Sequence, residues 1–302
     1  MSPTALVAAT TVELLDFTRN MLCSLVAVQA QVIVRIVDLD AGGGVCSNLT
    51  AVLALIPTAL CTNYAVQLDR TATRDVVWRS RAYYTAVRSK IDVFKEALIS
   101  FASQDDPPDW VIFSDTDVVY HADPLPYLQR EHANETRTLF SKWACAGSGK
   151  INSGWFAMRP RSNASFQLLQ AAQRHLLRGQ TYDHTDMGAI QASVNGRNSR
   201  LLSCDVVMSG HAINTLSRVS QSSLMVFHMN WVSASSSKKR CLQLTGQWLL
   251  LDAPGLCRPR IEVHTVAVAA RGRQVRGCQL NESNRRWDGI NVVLSTKDRG
   301  KV

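Results

Sequence analysis

The apolar positions of this 302-residue chain follow two rhythms, one helical and one extended. Leu14, Phe17, Met21 and Leu25 recur three and four apart, which predicts a helix running to about residue 28. Thr10 and Glu13 have the spacing of a capping box at its start. Residues 32–37 are a β-branched run, the expected first strand, with Asp38 and Asp40 at its end and a glycine turn at 42–44. That glycine run lacks the spacing of a phosphate-binding loop. A second strand–helix pair is expected between residues 47 and 68. Val87, Ile91, Phe94, Leu98 and Phe101 trace one face of a helix over residues 84–103, closed by prolines in the 105–109 run. Trp110 to Phe113 are all apolar, as in a short strand buried on both faces. Residues 150–160 predict a turn entering a strand, 166–177 and 183–193 two helices, and 224–229 a last clear strand.

Strands and helices alternating over short links predict an α/β fold with a mostly parallel central sheet flanked by helices. The pattern weakens after Pro259. The expected organisation is one large domain over residues 1–258 and a basic C-terminal extension over 259–302.

Composition narrows the partners. At 46% hydrophobic the chain can bury a large core, and its net charge of +9 favours anionic partners such as nucleotides and phosphates. The basic residues are scattered, without an aromatic-interleaved stripe, which argues against nucleic acid. Eight cysteines sit singly with no CxxC pair, so a structural zinc site is not expected. Cys241 with Cys257, or Cys145 with Cys204, are candidate disulfides. Four N-x-S/T sequons begin at Asn48, Asn134, Asn163 and Asn281, and with the cysteines they point to the secretory lumen. The polar start has no basic n-region, and the apolar segments 21–37 and 51–61 are interrupted or too short to span a bilayer. Either the protein is cytosolic or membrane association comes through an anchor in a longer form; the second is the expectation.

The chemistry concentrates after the apolar run at 110–113. Asp115 and Asp117 follow Ser114 directly. Residues two apart on extended backbone point the same way, so both carboxylates would aim at one spot beyond the strand end. Like charges so placed repel unless a cation lies between them, and a hard divalent ion suits two carboxylates. Open α/β sheets bind ligands in that crevice. The residue pattern alone leaves a plain surface turn open. It equally allows His228 to be a core histidine, Lys90 and Lys238 to be solvated, and the Asn152–Gly154 turn to be a simple strand entry.

Five segments in order, KIDVFKEAL (90–98), VIFSDTDVVYHADPL (111–125), INSGWFAMRP (151–160), TDMGAIQ (185–191) and FHMNWV (227–232), with Lys238 and Trp248 downstream, carry a resemblance. The chain resembles the nucleotide-diphospho-sugar transferases of glycosyltransferase family 77, a GT-A-fold (Rossmann-like) group that includes plant cell-wall enzymes. The resemblance implies sugar transfer with retention from a nucleotide diphosphate, UDP above all, to a glycan or glycoprotein hydroxyl. It implies Mn²⁺ or Mg²⁺ held by Asp115, Asp117 and His228, with Asp115 also contacting the donor. Lys90 would hold the nucleotide and Lys238 the diphosphate. Asn152 and Gly154 would approach the donor sugar, and Asp186 would bind sugar hydroxyls or steady charge at the anomeric carbon. It also implies a Golgi location, as a type II anchored enzyme. The sequence departs from the family where the usual Asp-Gln is Asp186-Met187, and where serines stand at 233 and 235–237 in place of an expected glycine. Two other classes fit parts of the pattern. One is a haloacid-dehalogenase-type phosphatase with Asp115 as nucleophile, and the other a non-catalytic glycan-binding relative of the fold.

Overall fold

The computed structural model describes residues 3–40, 44–66, 81–142, 149–178, 185–209, 223–230, 235–244, 246–251 and 257–258. The basic extension at 259–302, and with it Asn281 and Cys278, lies outside the described residues, as does Cys145.

The chain opens with a strand, β1 (Thr4–Thr10), ahead of the first expected helix. Its run is buried on both sides and so shows no alternation for sequence reading to find. Thr10 therefore ends a strand and caps nothing. A 3-10 turn at Val12–Leu14 intervenes before α1 (Leu15–Ala27), and neither start has a side-chain cap, so the capping box does not form. After β2 (Val32–Asp40) the expected strand–helix pair comes in the opposite order, as α2 (Gly44–Leu53) and then β3 (Leu60–Val66). The Asp38 carboxylate makes this start, accepting from the Val45 amide at 3.1 Å in the first turn of α2.

The remaining elements are α3 (Arg81–Ala102), β4 (Trp110–Ser114), β5 (Val118–Tyr120), α4 (Pro124–Glu131), β6 (Thr138–Lys142), β7 (Ile151–Met158) and α5 (Asn163–Leu177). Then follow α6 (Asp186–Ser193), β8 (Ser199–Leu201), β9 (Val207–Ser209), β10 (Val226–His228) and α7 (Ser235–Leu244). Seven strands form one sheet in the order β3-β2-β1-β4-β7-β6-β8. Only β7 runs against the others, so the sheet is mostly parallel, as the alternation of elements predicts. The chain leaves β1 toward β2 and β3 and returns to its other side at β4. The β1/β4 junction is thus a topological switch point, the place beyond whose strand ends open α/β sheets bind ligands.

Period-two alternation divides the core. Leu6, Trp110 and Ile112 face α1 and α2, while Val7, Val111 and Phe113 face α3 and α5. On the second face Phe94 of α3 packs on Phe113 and Phe156, with ring centroids 4.4 and 5.6 Å away. A second, three-stranded sheet, β5-β10-β9, stands beyond the end of β4.

Disulfides join Cys23 to Cys257 and Cys46 to Cys61. The first replaces the Cys241–Cys257 pairing considered from sequence: α1 brings Cys23 to Cys257 across 234 residues, a proximity no local spacing reveals. Cys204 and Cys241 are disulfide-bonded as well. Among the described residues no helix is long and apolar enough to cross a membrane.

One ion cluster ties the β6/β8 edge. Glu135 accepts from Arg137 at 2.7 and 2.8 Å and from Arg200 of β8 at 3.1 Å. The Arg137 hydrogen bonds, assisted by Arg200 and opposed by burial, hold its pKa down to about 2. A depressed carboxylate stabilises the fold above its unfolded pKa and ceases to do so as pH falls through its folded value. Glu135→Gln is expected to lower stability by about 1 kcal/mol near neutral pH, the scale of a solvent-screened pair. Urea titrations of both proteins check this, and the difference should close as pH falls from about 4.5 to about 2.

Candidate functional site

Two strands from different sheets place the paired aspartates. β4 pairs with β7 as far as Ser114 opposite Trp155, and one more bond, Asp115 N–H to Gly154 O at 2.7 Å, carries the pairing past the strand end. The backbone then turns through Thr116 and Asp117, leaves the large sheet and enters β5. There Val118 lies opposite His228 of β10, and the Met229 amide donates to Asp117 O at 2.9 Å. The acids therefore do not converge by alternation on an extended strand, as the sequence suggests. They converge because β7 holds the peptide of one while β10 holds that of the other.

His228 Nε2 lies 3.2 Å from Asp117 Oδ1 and 3.6 Å from Asp115 Oδ2, and one ligand atom from each of the three residues lies within 4.8 Å of the others. The remaining carboxylate oxygens are taken by lysines. Asp117 Oδ2 accepts from Lys238 Nζ of α7 at 2.5 Å, and Asp115 Oδ1 accepts from Lys90 Nζ of α3. Lys90 reaches on to Asp186 Oδ2 at 2.7 Å, which also accepts from Ser153 Oγ at 3.0 Å. Asp186 sits at the first position of α6, whose N-cap Thr185 accepts from the Gly188 amide. Asn152 Oδ1 accepts from the Gly154 amide at 2.8 Å, and its buried Nδ2 has no partner among the described residues.

Charge compensation sets the ionisation. Burial works to lower the Lys90 pKa, but Asp115 and then Asp186 overcome it and hold it above the ordinary lysine range. Burial works to raise Asp117, and Lys238 and His228 hold it well below the usual carboxylate range. Asp186 follows the same course, with burial opposed chiefly by Lys90. All three groups are therefore charged near neutral pH.

The oxygens of Asp115 and Asp117 that the lysines leave, with the Nε2 of His228, suit a divalent cation. Ligand atoms about 2.1 Å from a common centre and at right angles are about 3 Å apart, close to the separations of Nε2 from each oxygen. Two carboxylates with one imidazole make a hard, mixed oxygen–nitrogen set that Mn²⁺ accepts readily.

All eight residues singled out from sequence thus fall on one network: Lys90, Asp115, Asp117, Asn152, Gly154, Asp186, His228 and Lys238. Asn152, Ser153 and Gly154 lie within β7 and not in the turn expected from sequence; Ser153 was missed, although it stands between two residues that were singled out and its hydroxyl was the available signal. Asn20 was missed too. It is a polar residue at a core position of α1, between Phe17 and Met21, and its side chain donates to Gln247 O and accepts from the Leu249 amide. The serines at 235–237 open α7, while 231–234 lie outside the described residues.

No protein-family model and no curated protein matches this chain in sequence. Its likeness is to solved glycosyltransferases. GlyE of Streptococcus pneumoniae is 10% identical with a TM-score of 0.54, covering 89% of this chain and 61% of its own. The chain thus spans about three fifths of that protein. An active-site mutant of LgtC is 11% identical with a TM-score of 0.55, covering 83% of this chain and all of its own. Mouse xyloside xylosyltransferase 1 is 10% identical with a TM-score of 0.50, covering 76% of this chain and 98% of its own. The chain has the GT-A glycosyltransferase fold.

Removing Lys90 leaves Asp115 and Asp186 without their shared counter-charge. Lys90→Ala is expected to cost about 3 kcal/mol at neutral pH, the scale of an orphaned buried ion. A depressed carboxylate such as Asp186 contributes above its unfolded pKa, and a raised lysine contributes until pH rises past its own. The deficit should therefore persist through neutral pH and shrink below about pH 4, as read by urea unfolding.

Proposed function

We propose that this chain is a metal-dependent glycosyltransferase that moves a sugar from a nucleotide diphosphate, a UDP-sugar, to a glycan or glycoprotein hydroxyl with retention. One observation carries the reading. At the end of β4 in a GT-A fold, one oxygen of Asp115, one oxygen of Asp117 and His228 Nε2 face each other, while lysines hold the other two oxygens. Asp115, Asp117 and His228 would hold Mn²⁺, or Mg²⁺ less readily because of the imidazole. The cation would neutralise charge that develops on the departing diphosphate.

The chain's own residues do the rest. Lys238 lies beside Asp117, so its ammonium is within reach of a diphosphate bound at that carboxylate, as Lys90 is beside Asp115. Asp186, buried at the start of α6, presents a carboxylate held charged by Lys90. In that state it can accept from sugar hydroxyls or steady positive charge at the anomeric carbon. The buried Asn152 amide lacks a partner among the described residues, and a donor-sugar oxygen would supply one. Retention would follow a front-face path in which the leaving phosphate takes the acceptor proton. The Met187 side chain has no amide to match the glutamine of the family, while its backbone N–H donates to Asp186.

The disulfides Cys23–Cys257 and Cys46–Cys61 suit an oxidising compartment, which supports a location in the secretory lumen such as the Golgi. The proposed organisation is a catalytic domain over residues 1–258, followed in sequence by the basic stretch 259–302.

A nucleotide-release screen over UDP- and GDP-sugars, with and without Mn²⁺, is the test. Release is expected with at least one UDP-sugar and only with metal. Asp117→Ala should reduce it by about 10²- to 10³-fold, the scale of losing one electrostatic contact to a leaving group. Asp117→Ala with near-native, metal-dependent turnover would show the reading to be wrong. Binding without release would favour the non-catalytic alternative. Hydrolysis of p-nitrophenyl phosphate abolished by Asp115→Asn would favour the phosphatase.

A further inference from the structure

We infer that Gly154 is a positioning residue, whose missing Cβ makes the seat that holds the His228 imidazole against the two aspartates. The inference deepens the metal-site reading and rests on it. A Cβ built on Gly154 would stand 1.8 Å from His228 Cε1, 2.5 Å from Nδ1 and 2.6 Å from Nε2. The Nδ1–Cε1–Nε2 edge of the ring thus occupies the space that any other residue would fill. Ordinary contact begins at 3.4 Å, so a side chain at 154 drives the ring back by well over an ångström.

The ring is enclosed. It is 3% exposed, on a strand paired on one side with β5 and on the other with β9. A metal-bound histidine is commonly oriented by a hydrogen bond from its second nitrogen. Here Nδ1 is buried and has no hydrogen-bond partner among the described residues. The ring's rotation is therefore set from two sides, by the glycine it rests on and by Asp117 Oδ1, 3.2 Å from Nε2. The same peptide also aligns the other side of the site, since Gly154 O accepts from the Asp115 amide and Gly154 N donates to Asn152 Oδ1. Metal–ligand distances tolerate only about 0.2 Å, far less than the displacement a Cβ would force. A substitution at 154 acts through His228 by taking Nε2 out of reach.

A double-mutant cycle on the full chain tests this, with Mn²⁺ affinity read by the disappearance of the free-ion paramagnetic signal. Gly154→Ala is expected to weaken Mn²⁺ binding by about 10- to 100-fold, the range for groups that orient ligands. It should also erase the nitrogen coupling to the bound ion in pulsed spectra. In a His228→Ala background it should change nothing further. In metal-free protein the thermal midpoint should fall in Gly154→Ala and recover in the double variant. Should Gly154→Ala not fold, the shorter ligand of His228→Asp decides, because its Mn²⁺ affinity should then be the same with Gly or Ala at 154. Wild-type affinity in Gly154→Ala overturns the inference, as does an equal loss in the His228→Ala background, which would assign the glycine to Asp115 or to the fold. Coupled midpoints without a change in affinity also overturn it, and leave the metal reading standing. If the wild-type chain itself binds no Mn²⁺, the metal reading falls and the inference with it.

Discussion

Three carboxylates linked through Lys90 and His228, two of them buried and one partly exposed, are the constraint that the rest of this molecule answers. Asp115, Asp117 and Asp186 would repel, and Asp117 and Asp186 lose hydration on burial. Lys90 and Lys238 come from helices on separate parts of the chain, and each ammonium holds one oxygen of an aspartate while leaving the other toward His228. The position of α3 is consequently not free. Phe94, one turn beyond Lys90, is wedged against Phe113 and Phe156. Apolar packing under β4 thereby fixes a cation at its tip. Buried aromatic area provides the stability, and the ion network uses part of it.

The other lysine has its own anchorage. Next to Lys238, Lys239 donates to Asp16 at 2.9 Å and lies 4.9 Å from the centre of the Trp248 ring, which meets Phe17 edge-on. Asn20 pins Gln247 and Leu249 through backbone hydrogen bonds, and Cys23 binds Cys257. All these contacts fall on α1, whose start lies just beyond β1 at the switch point. A helix reached at residue 235 is thus secured to one formed at residue 15, and the lysine it carries is held beside the paired acids.

The small β5-β10-β9 sheet does what the large sheet does not. A strand continuing straight past Ser114 would carry Asp117 away from Asp115. Turning at Thr116 and pairing β5 with β10 brings a histidine from 111 residues later to the same point. The antiparallel strand β7 completes the arrangement by supplying a glycine at the one place where an imidazole must pass.

Much of this was legible in residue order. The apolar run from Trp110 to Phe113, stopping at two aspartates, marked the strand and the acids, because a strand buried on both faces shows as an unbroken apolar stretch. Helical spacing located α1, α3 and α5 to within a few residues, since an amphipathic face repeats locally. β1 is buried on both sides like β4, but its alanines give little strand preference, so its apolar run did not stand out. The order of α2 and β3, the Cys23–Cys257 pairing, Ser153 on Asp186 and Asn20 under the 247–249 segment rest on contacts between distant residues, which no local period encodes. Sequence by itself determined which side chains can carry charge and where single elements form. Only the tertiary structure decided which oxygen faces which nitrogen, because that depends on two sheets and two helices meeting at one strand end.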